Sequence, residues 1–435
     1  MKSIFIKISC TGILYLLLLI SIKGFSQNNT VEFTAGGIKV ILRQTQKETL
    51  VMNMYFRGGS SNYTAANSGI ESLALSGAVE CGTTKYAAND FNEQVDEYGL
   101  HMGGIAENDY AVLKLACISR YKDDAWNLFS SAITSPVFDA QKFSLLKEQK
   151  INNLKAIMSD PDSRLKWLAQ ESAFSGTVYA TNPDGSVNTL PALTRDAVKD
   201  YYFNTLLNKN RMFLVVAGNI SREELEKKVQ EAFAGIASKP YTAATIENIS
   251  FPEEVYKIES RSIATNYVAG VINAPNLSSP DYPAYRLAVS ILESAMFDYI
   301  RLEKQLSYAP SASLSEGRIS YVTMYASTTQ PGETVKAMHV ILSFMKNKTY
   351  TEKTLDNVRK SHLHSYIKRQ EIMAEIADQL GDAEIMGDWK LAENLPERMS
   401  TVTAEDVQHV LIKYAKNISW AYIGDPVSGK ASFNQ

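Results

Sequence analysis

An arginine and a tyrosine seven positions apart, Arg301 and Tyr308, carry side chains that could handle a carbonyl. A guanidinium offers fixed donors and a phenol a hydroxyl, both fit for a substrate carbonyl or a developing oxyanion. The same pair also reads as a helix-end Arg facing Glu303 or solvent, with a Tyr packing at a strand start. Other ingredients of hydrolytic chemistry are sparse. The chain has five histidines, none before His101. His101, His339 and His409 are scattered, while His362 and His364 stand two apart, which on a helix points them to different sides and suits an exposed face. A tetrahedral catalytic zinc needs three ligands with lone pairs and one open position, and these histidines do not build it. Ser72 and Ser76 can be drawn as nucleophiles, with Glu71, Glu80 or Glu148 as acid and base. No His or Lys stands beside those serines at a definable local spacing, and activation needs such a partner.

The elements that must position these residues come in two similar series. Alternating apolar residues predict strands over 31–43, turning at Gly36-Gly37, and over 49–56. Helical periodicity follows over 69–79 and 90–98, an extended region over 100–118, and helices over 122–134, 140–158 and 163–174. The second half repeats the order: a strand over 267–273, a long helix from 283 to about 303, strands over 307–314 and 320–327, and helices over 333–346 and 352–369. Each half closes alike. Thr194 precedes a helix leading to an apolar strand that ends at Gly218, and Thr403 precedes one leading to a strand that ends at Gly424. In both, the Thr caps the helix and acids occupy its first turn, favourable against unpaired N–H groups and the dipole. The expected organisation is a duplicated α+β chain, 27–239 and 253–435, joined by a polar linker at 240–252 bounded by Pro240 and Pro252.

With 435 residues, 45% apolar, the chain can bury a large core, and a net charge of −3 disfavours a polyanionic partner such as nucleic acid. Lys2 and Lys7, an apolar run over 13–22 and the small residues of Gly24-Phe25-Ser26 form a secretory pattern, so residues 1–26 are expected to be a signal peptide. The run is too short to span a membrane, and no other stretch is long enough. The mature protein is expected to be exported, periplasmic or extracellular, with no membrane span. Cys81 and Cys117 would then meet an oxidising compartment, as a disulfide or as two buried thiols.

Three segments carry a family resemblance: Arg57-Gly58-Gly59-Ser60, Ser68 to Ser76, and Gly82-Thr83-Thr84-Lys85-Tyr86. With the matched halves and the Arg301/Tyr308 spacing, the mature chain resembles the processing-peptidase-like branch of the insulinase/pitrilysin family of inverted zinc peptidases. That resemblance implies two similar α+β domains, each a mainly antiparallel sheet packed with helices, facing each other as a clamshell. At the matching address the family carries H-x-x-E-H, two His for zinc and Glu as general base. Here the corresponding residues are Ser72, Leu75 and Ser76. Shifting by one residue gives Leu73, Ser76 and Gly77, and the conclusion stands. The family's distal zinc ligand ends an E-x6-E spacing; Glu148 fits the first acid, and Lys155 falls on the ligand, where an ammonium has no lone pair to give. A Lys there would replace the ion's charge and pair with Glu148. Zinc hydrolysis by this chain alone is not expected, nor any cofactor.

The resemblance keeps other parts. Arg301 and Tyr308 match the family's R-x6-Y pair, which grips substrate at the reacting carbonyl, with Gln305 in place of the usual Gly. Gly103, Gly104, Ile105 and Ala106 resemble the first-domain edge strand to which extended peptides add, although paired glycines also suit a bulge or turn. Loss of zinc ligands with retention of Arg and Tyr is the pattern of a non-catalytic subunit that partners a zinc-bearing homologue carrying H-x-x-E-H. A non-enzymatic peptide-binding or assembly scaffold of the same fold is the alternative.

Overall fold

The computed structural model of the protein describes residues 30–246, 251 and 253–433. The expected signal peptide at 1–26 and part of the 240–252 linker lie outside the described residues.

Strands β1 (Thr30–Ala35), β2 (Ile38–Gln44), β3 (Thr49–Arg57), β4 (His101–Ala106), β5 (Tyr110–Ile118) and β6 (Met212–Gly218) form one sheet in the order β1-β2-β6-β3-β5-β4. Strands β7 (Val255–Ser260), β8 (Asn266–Ala274), β9 (Ser311–Ser315), β10 (Ser320–Thr328) and β11 (Ser419–Gly424) form the second, in the order β7-β11-β8-β10-β9. Without β1 the two orders coincide strand for strand. Even the single parallel pairing recurs in place, β2 with β6 and β7 with β11. Local chemistry drives the agreement: β6 and β11 are buried at every residue and sit mid-sheet, as continuous apolar runs should. Thr194 and Thr403 cap the helices before them, accepting from the N–H groups of Ala197 and Asp406.

Helix α1 (Ile70–Glu80) lies on the edge strand β4, helix α2 (Ala140–Ser159) packs against α1, and helix α3 (Pro161–Ala173) follows directly. In the second half, helix α4 (Tyr282–Met296) lies on the edge strand β9. It runs on as a π-helical turn over Phe297–Glu303, so the helix expected to end near residue 303 has the right extent but a wider final turn. Strand β9 starts at Ser311 rather than near Ser307, because Pro310 has no N–H to give a ladder.

The halves exchange helices. From α3, Leu165, Leu168, Ala169 and Ala173 pack on Ala269, Val271, Ala421 and Ile423 of the second sheet. Reciprocally, helix α5 (Met373–Ile385) places Met373, Ile376, Ala377 and Leu380 against Ile41, Val51, Tyr55 and Phe213 of the first. At Gly381 a Cβ would sit 2.1 Å from the Tyr55 ring, so this contact needs a residue without a side chain. Polar bonds fix the register: Asp378 accepts from Asn53 and Lys114 at 2.9 and 2.7 Å, and Asp382 accepts from the Tyr110 hydroxyl at 2.8 Å. Each sheet therefore has its own helical layer on one face and a helix of the other half on the opposite face, with the edge strands β4 and β9 left at the rim of the clamshell. Cys81 and Cys117 are separate buried thiols, both pushed up to about 12 by burial.

Candidate functional site

Residues 70–79 of α1 are all buried. Ser72 donates from Oγ to Asp184 at 2.7 Å and accepts from Lys150 Nζ at 2.9 Å. Lys150 comes from α2, and Asp184 from the loop beyond α3. Lys155, expected at this place, is solvent-exposed instead. Five residues of α-helix turn a side chain through about 140°, which explains why one lysine reaches the address and the other leaves it. Glu148 is exposed as well. The ammonium between α1 and α2 is thus Lys150, and its charge is answered through Ser72 and Asp184.

This donor set does not fit zinc. Serine hydroxyls are weak ligands, Leu75 has no donor atom, and a protonated lysine repels a cation. The triad is not an activated serine either. Ser72 is 1% exposed, so a substrate cannot reach its oxygen, and Lys150 donates to that oxygen instead of taking its proton. Glu71 also faces elsewhere. It is fully buried, and its Oε1 accepts from Asn62 at 2.6 Å and from the Tyr201 hydroxyl at 2.7 Å. Oε2 has no partner. Burial pushes its pKa up to about 7 against the pull of Asn62, Tyr201 and Arg211.

The edge strand β4 is regular. Gly103 stands opposite Lys114 and Gly104 opposite Leu113 in an unbroken ladder with β5, so the paired glycines mark neither bulge nor turn. Gly104 is there for close approach: a Cβ would lie 2.4 Å from Leu75 Cβ and 2.9 Å from its backbone carbon, whereas at Gly103 it would meet nothing within 4 Å. Ile105 is exposed and Ala106 buried. The other edge of β4 pairs with no strand among the described residues. Gly104→Ala is expected to destabilise the fold by about 1–3 kcal/mol through overpacking against α1, and Gly103→Ala to leave the urea midpoint nearly unchanged. Equal effects of the two substitutions would contradict this packing.

In the second half the structure brings Arg301 and Tyr308 together. The Arg301 guanidinium lies 4.2 Å from the centre of the Tyr308 ring and 4.9 Å from that of Phe297. It forms no hydrogen bond or ion pair among the described residues, and Glu303 instead pairs with Lys304 at 3.4 Å. Tyr308 is 79% exposed, so it does not serve as packing at a strand start. Two backbone features aim the pair. Arg301 sits on the π-helical turn, and Gln305 adopts φ 53°, left-handed backbone that costs a side chain about 1 kcal/mol. Arg301 opens on a cavity of about 940 Å³ between the halves. Its walls include Leu165 and Trp167 of α3, the outward residues Ser311, Ser313 and Ser315 of edge strand β9, and Tyr321 and Tyr325 of β10. This second edge strand, and the α3 helix facing it, were not singled out from the sequence; the alternating small polar residues of β9 were the available signal.

The histidines do not converge. His364 is exposed, as expected, but His362 turns inward and shares a 2.7 Å hydrogen bond with Ser290. No group of three or more His, Cys, Asp or Glu among the described residues is arranged to hold a metal ion. No helix among them is long and apolar enough to cross a membrane.

Two copies of one α+β plan, with a long helix lying on the edge strand of each and the metal donors of the first copy replaced, define a zinc-peptidase fold without its zinc site. Residues 192–361 match the family described as "Peptidase M16 inactive domain". A mitochondrial-processing peptidase subunit beta of Dictyostelium discoideum is 20% identical over 262 residues, 59% of this chain and only 55% of that protein's length. An uncharacterized zinc protease of Rickettsia felis is 22% identical over 397 residues, 87% of this chain and 93% of that one. Among solved structures, a peptidase M16 inactive domain from Pseudomonas fluorescens superposes with a TM-score of 0.82 at 18% identity, covering 91% of this chain and 98% of the other. The chain thus matches the M16 inactive domain over residues 192–361 and has the fold of M16 peptidase-like proteins.

Proposed function

We propose that this protein is an exported, non-catalytic subunit of a two-chain zinc metallopeptidase. In this reading it binds extended peptide and supplies Arg301 and Tyr308 to the zinc site of a homologous partner bearing H-x-x-E-H. The observation that carries it is the contrast between two addresses. At the first, Lys150, Ser72 and Asp184 satisfy one another and leave nothing for chemistry. At the second, a guanidinium without a carboxylate partner lines a large cavity, with an exposed phenol ring against it. A protein keeps uncompensated donors at a cavity for something that arrives from outside.

Peptide recognition would use main-chain pairing along the open side of β4, with Gly103 holding space beside it, because an edge strand offers unpaired N–H and C=O groups to any extended chain. Export rests on the charged, apolar and small-residue pattern of residues 1–26. Native mass spectrometry of material purified from its source tests the assembly. The expected species is this chain with a homologue that carries one zinc. A metal-free assembly of this chain alone that still captures peptide would make it the scaffold instead.

A further inference from the structure

On the outer, helical side of the second half, three helices enclose a separate cavity of about 280 Å³. They are α4, helix α6 (Glu352–Arg369) and the short helix α7 (Leu395–Ser400). Its charge is one-sided. Arg286, Arg359, Lys360 and Arg369 line it, against the single carboxylate of Asp356. Arg359 engages its two terminal nitrogens, with Glu352 at 2.7 Å, Asp356 at 2.6 Å and the Val402 carbonyl, and its Nε is buried without an acceptor among the described residues. Arg286 meets Glu316 and the Tyr282 hydroxyl through Nη1 alone. Arg369 and Lys360 make no side-chain hydrogen bond or ion pair among the described residues, and the Arg369 Nε is buried without an acceptor.

Surplus guanidinium charge in an enclosed place is costly unless something answers it. His362, on the same wall, reports that charge. Burial and the cations of Arg286 and Arg369 push it down to about 4, so it stays neutral beside Ser290. The remaining walls are mainly apolar, with Leu363 and Tyr366 on one side and Leu395, Pro396, Met399 and Ser400 on the other. A bare inorganic anion would leave that surface unused, and the size falls at the low end of small-molecule clefts.

We propose that this cavity is a binding site for a small organic oxyanion, its phosphate or carboxylate head held by Arg369, Arg286 and Lys360 and its apolar body laid against Leu395 and Met399. Guanidinium groups suit such heads because their N–H pairs match two oxygens at once. The site is separate from the Arg301 cavity, and its occupancy does not depend on the partner subunit.

Calorimetric titration of the full chain with phenyl phosphate, benzoate and inorganic phosphate tests it, alongside NMR of the histidine rings. Phenyl phosphate or benzoate should saturate one site per chain, and whichever does so identifies the head group. That probe should bind at least about tenfold more tightly than inorganic phosphate. Arg369→Met should weaken binding at least about tenfold. Lys360→Ala, at an exposed position that tolerates truncation, should weaken it several-fold, guarding against a misfolded Arg369 variant. Binding should also raise the pKa of His362 by neutralising its cationic neighbours. Arg195→Ala, at an exposed pair in the other half, should change nothing. No saturation by either organic probe at about 10 mM, inorganic phosphate binding as tightly as both, or undiminished binding in folded Arg369→Met and Lys360→Ala proteins would overturn the assignment.

Discussion

Arg301→Ala, in the proposed complex with a zinc-bearing homologue, is expected to lower kcat/KM for peptide cleavage about 10²- to 10³-fold, the loss seen when one preorganised oxyanion donor is removed. The guanidinium is free to act in this way because its only partners among the described residues are the faces of Phe297 and Tyr308. These ring contacts leave its N–H groups without acceptors among the described residues. Tyr308→Phe keeps the stacking ring and removes only the hydroxyl. It should therefore cost less, about 10-fold, and mainly in kcat if the hydroxyl meets charge that develops in the transition state. Complex formation should survive both substitutions. Turnover unchanged by either would leave the chain as a scaffold and remove the proposed division of labour, while loss of assembly in both would move the pair into an interface.

The second large effect concerns stability. Glu71 is sealed behind α1 with one oxygen unpartnered, and its pKa stands near 7 rather than the usual 4.5. A carboxyl whose folded pKa is raised holds its proton more firmly in the native state than in the unfolded chain. Its contribution therefore falls as pH rises from about 4.5 to about 7 and is level above that. At about 1.4 kcal/mol per pKa unit the full penalty is about 3 kcal/mol. Glu71→Gln retains an acceptor for Asn62 and Tyr201 without the charge. It is expected to raise stability by up to about 3 kcal/mol at pH 8 and to change little at pH 4.5. Urea unfolding at the two pH values reads this directly. A substitution that destabilises equally at both would show that Arg211 already compensates the buried charge.

The site divides by the range of the forces that build it. That the matching address suits a catalytic zinc poorly was legible in the residue types alone, because Ser72 and Ser76 offer only weak hydroxyl ligands and Leu75 has no donor atom in any conformation. Which lysine stands in the pocket was not legible. Lys155 follows from spacing counted along the chain, but helix α2 presents Lys150 to Ser72, since the phase of a helix against its neighbour is set by packing rather than by count. Asp184, the third member, comes from a loop over a hundred residues away in sequence. His362 was misread for a related reason: its helix has little amphipathic contrast, and only the neighbouring α4, with Ser290 and Arg286, turns that face into a cavity wall.

By itself the sequence determined the duplicated α+β plan, the order of most strands and helices, the capped entries at Thr194 and Thr403, the absence of zinc donors, and the presence of Arg301 and Tyr308. Each of these rests on local periodicity, on capping chemistry or on residue identity, which act within a few turns of chain. Only the tertiary structure decided that Arg301 stacks on Tyr308 at a cavity, that Gly104 is needed for the approach of β4 to Leu75, and that α3 and α5 cross to cover each other's sheets. Those depend on where distant apolar faces find partners. The α5 segment, with Met373, Ile376, Ala377 and Leu380 on one side, presents an ordinary helical stripe. Nothing within that stripe specifies which of two similar sheets it will bury.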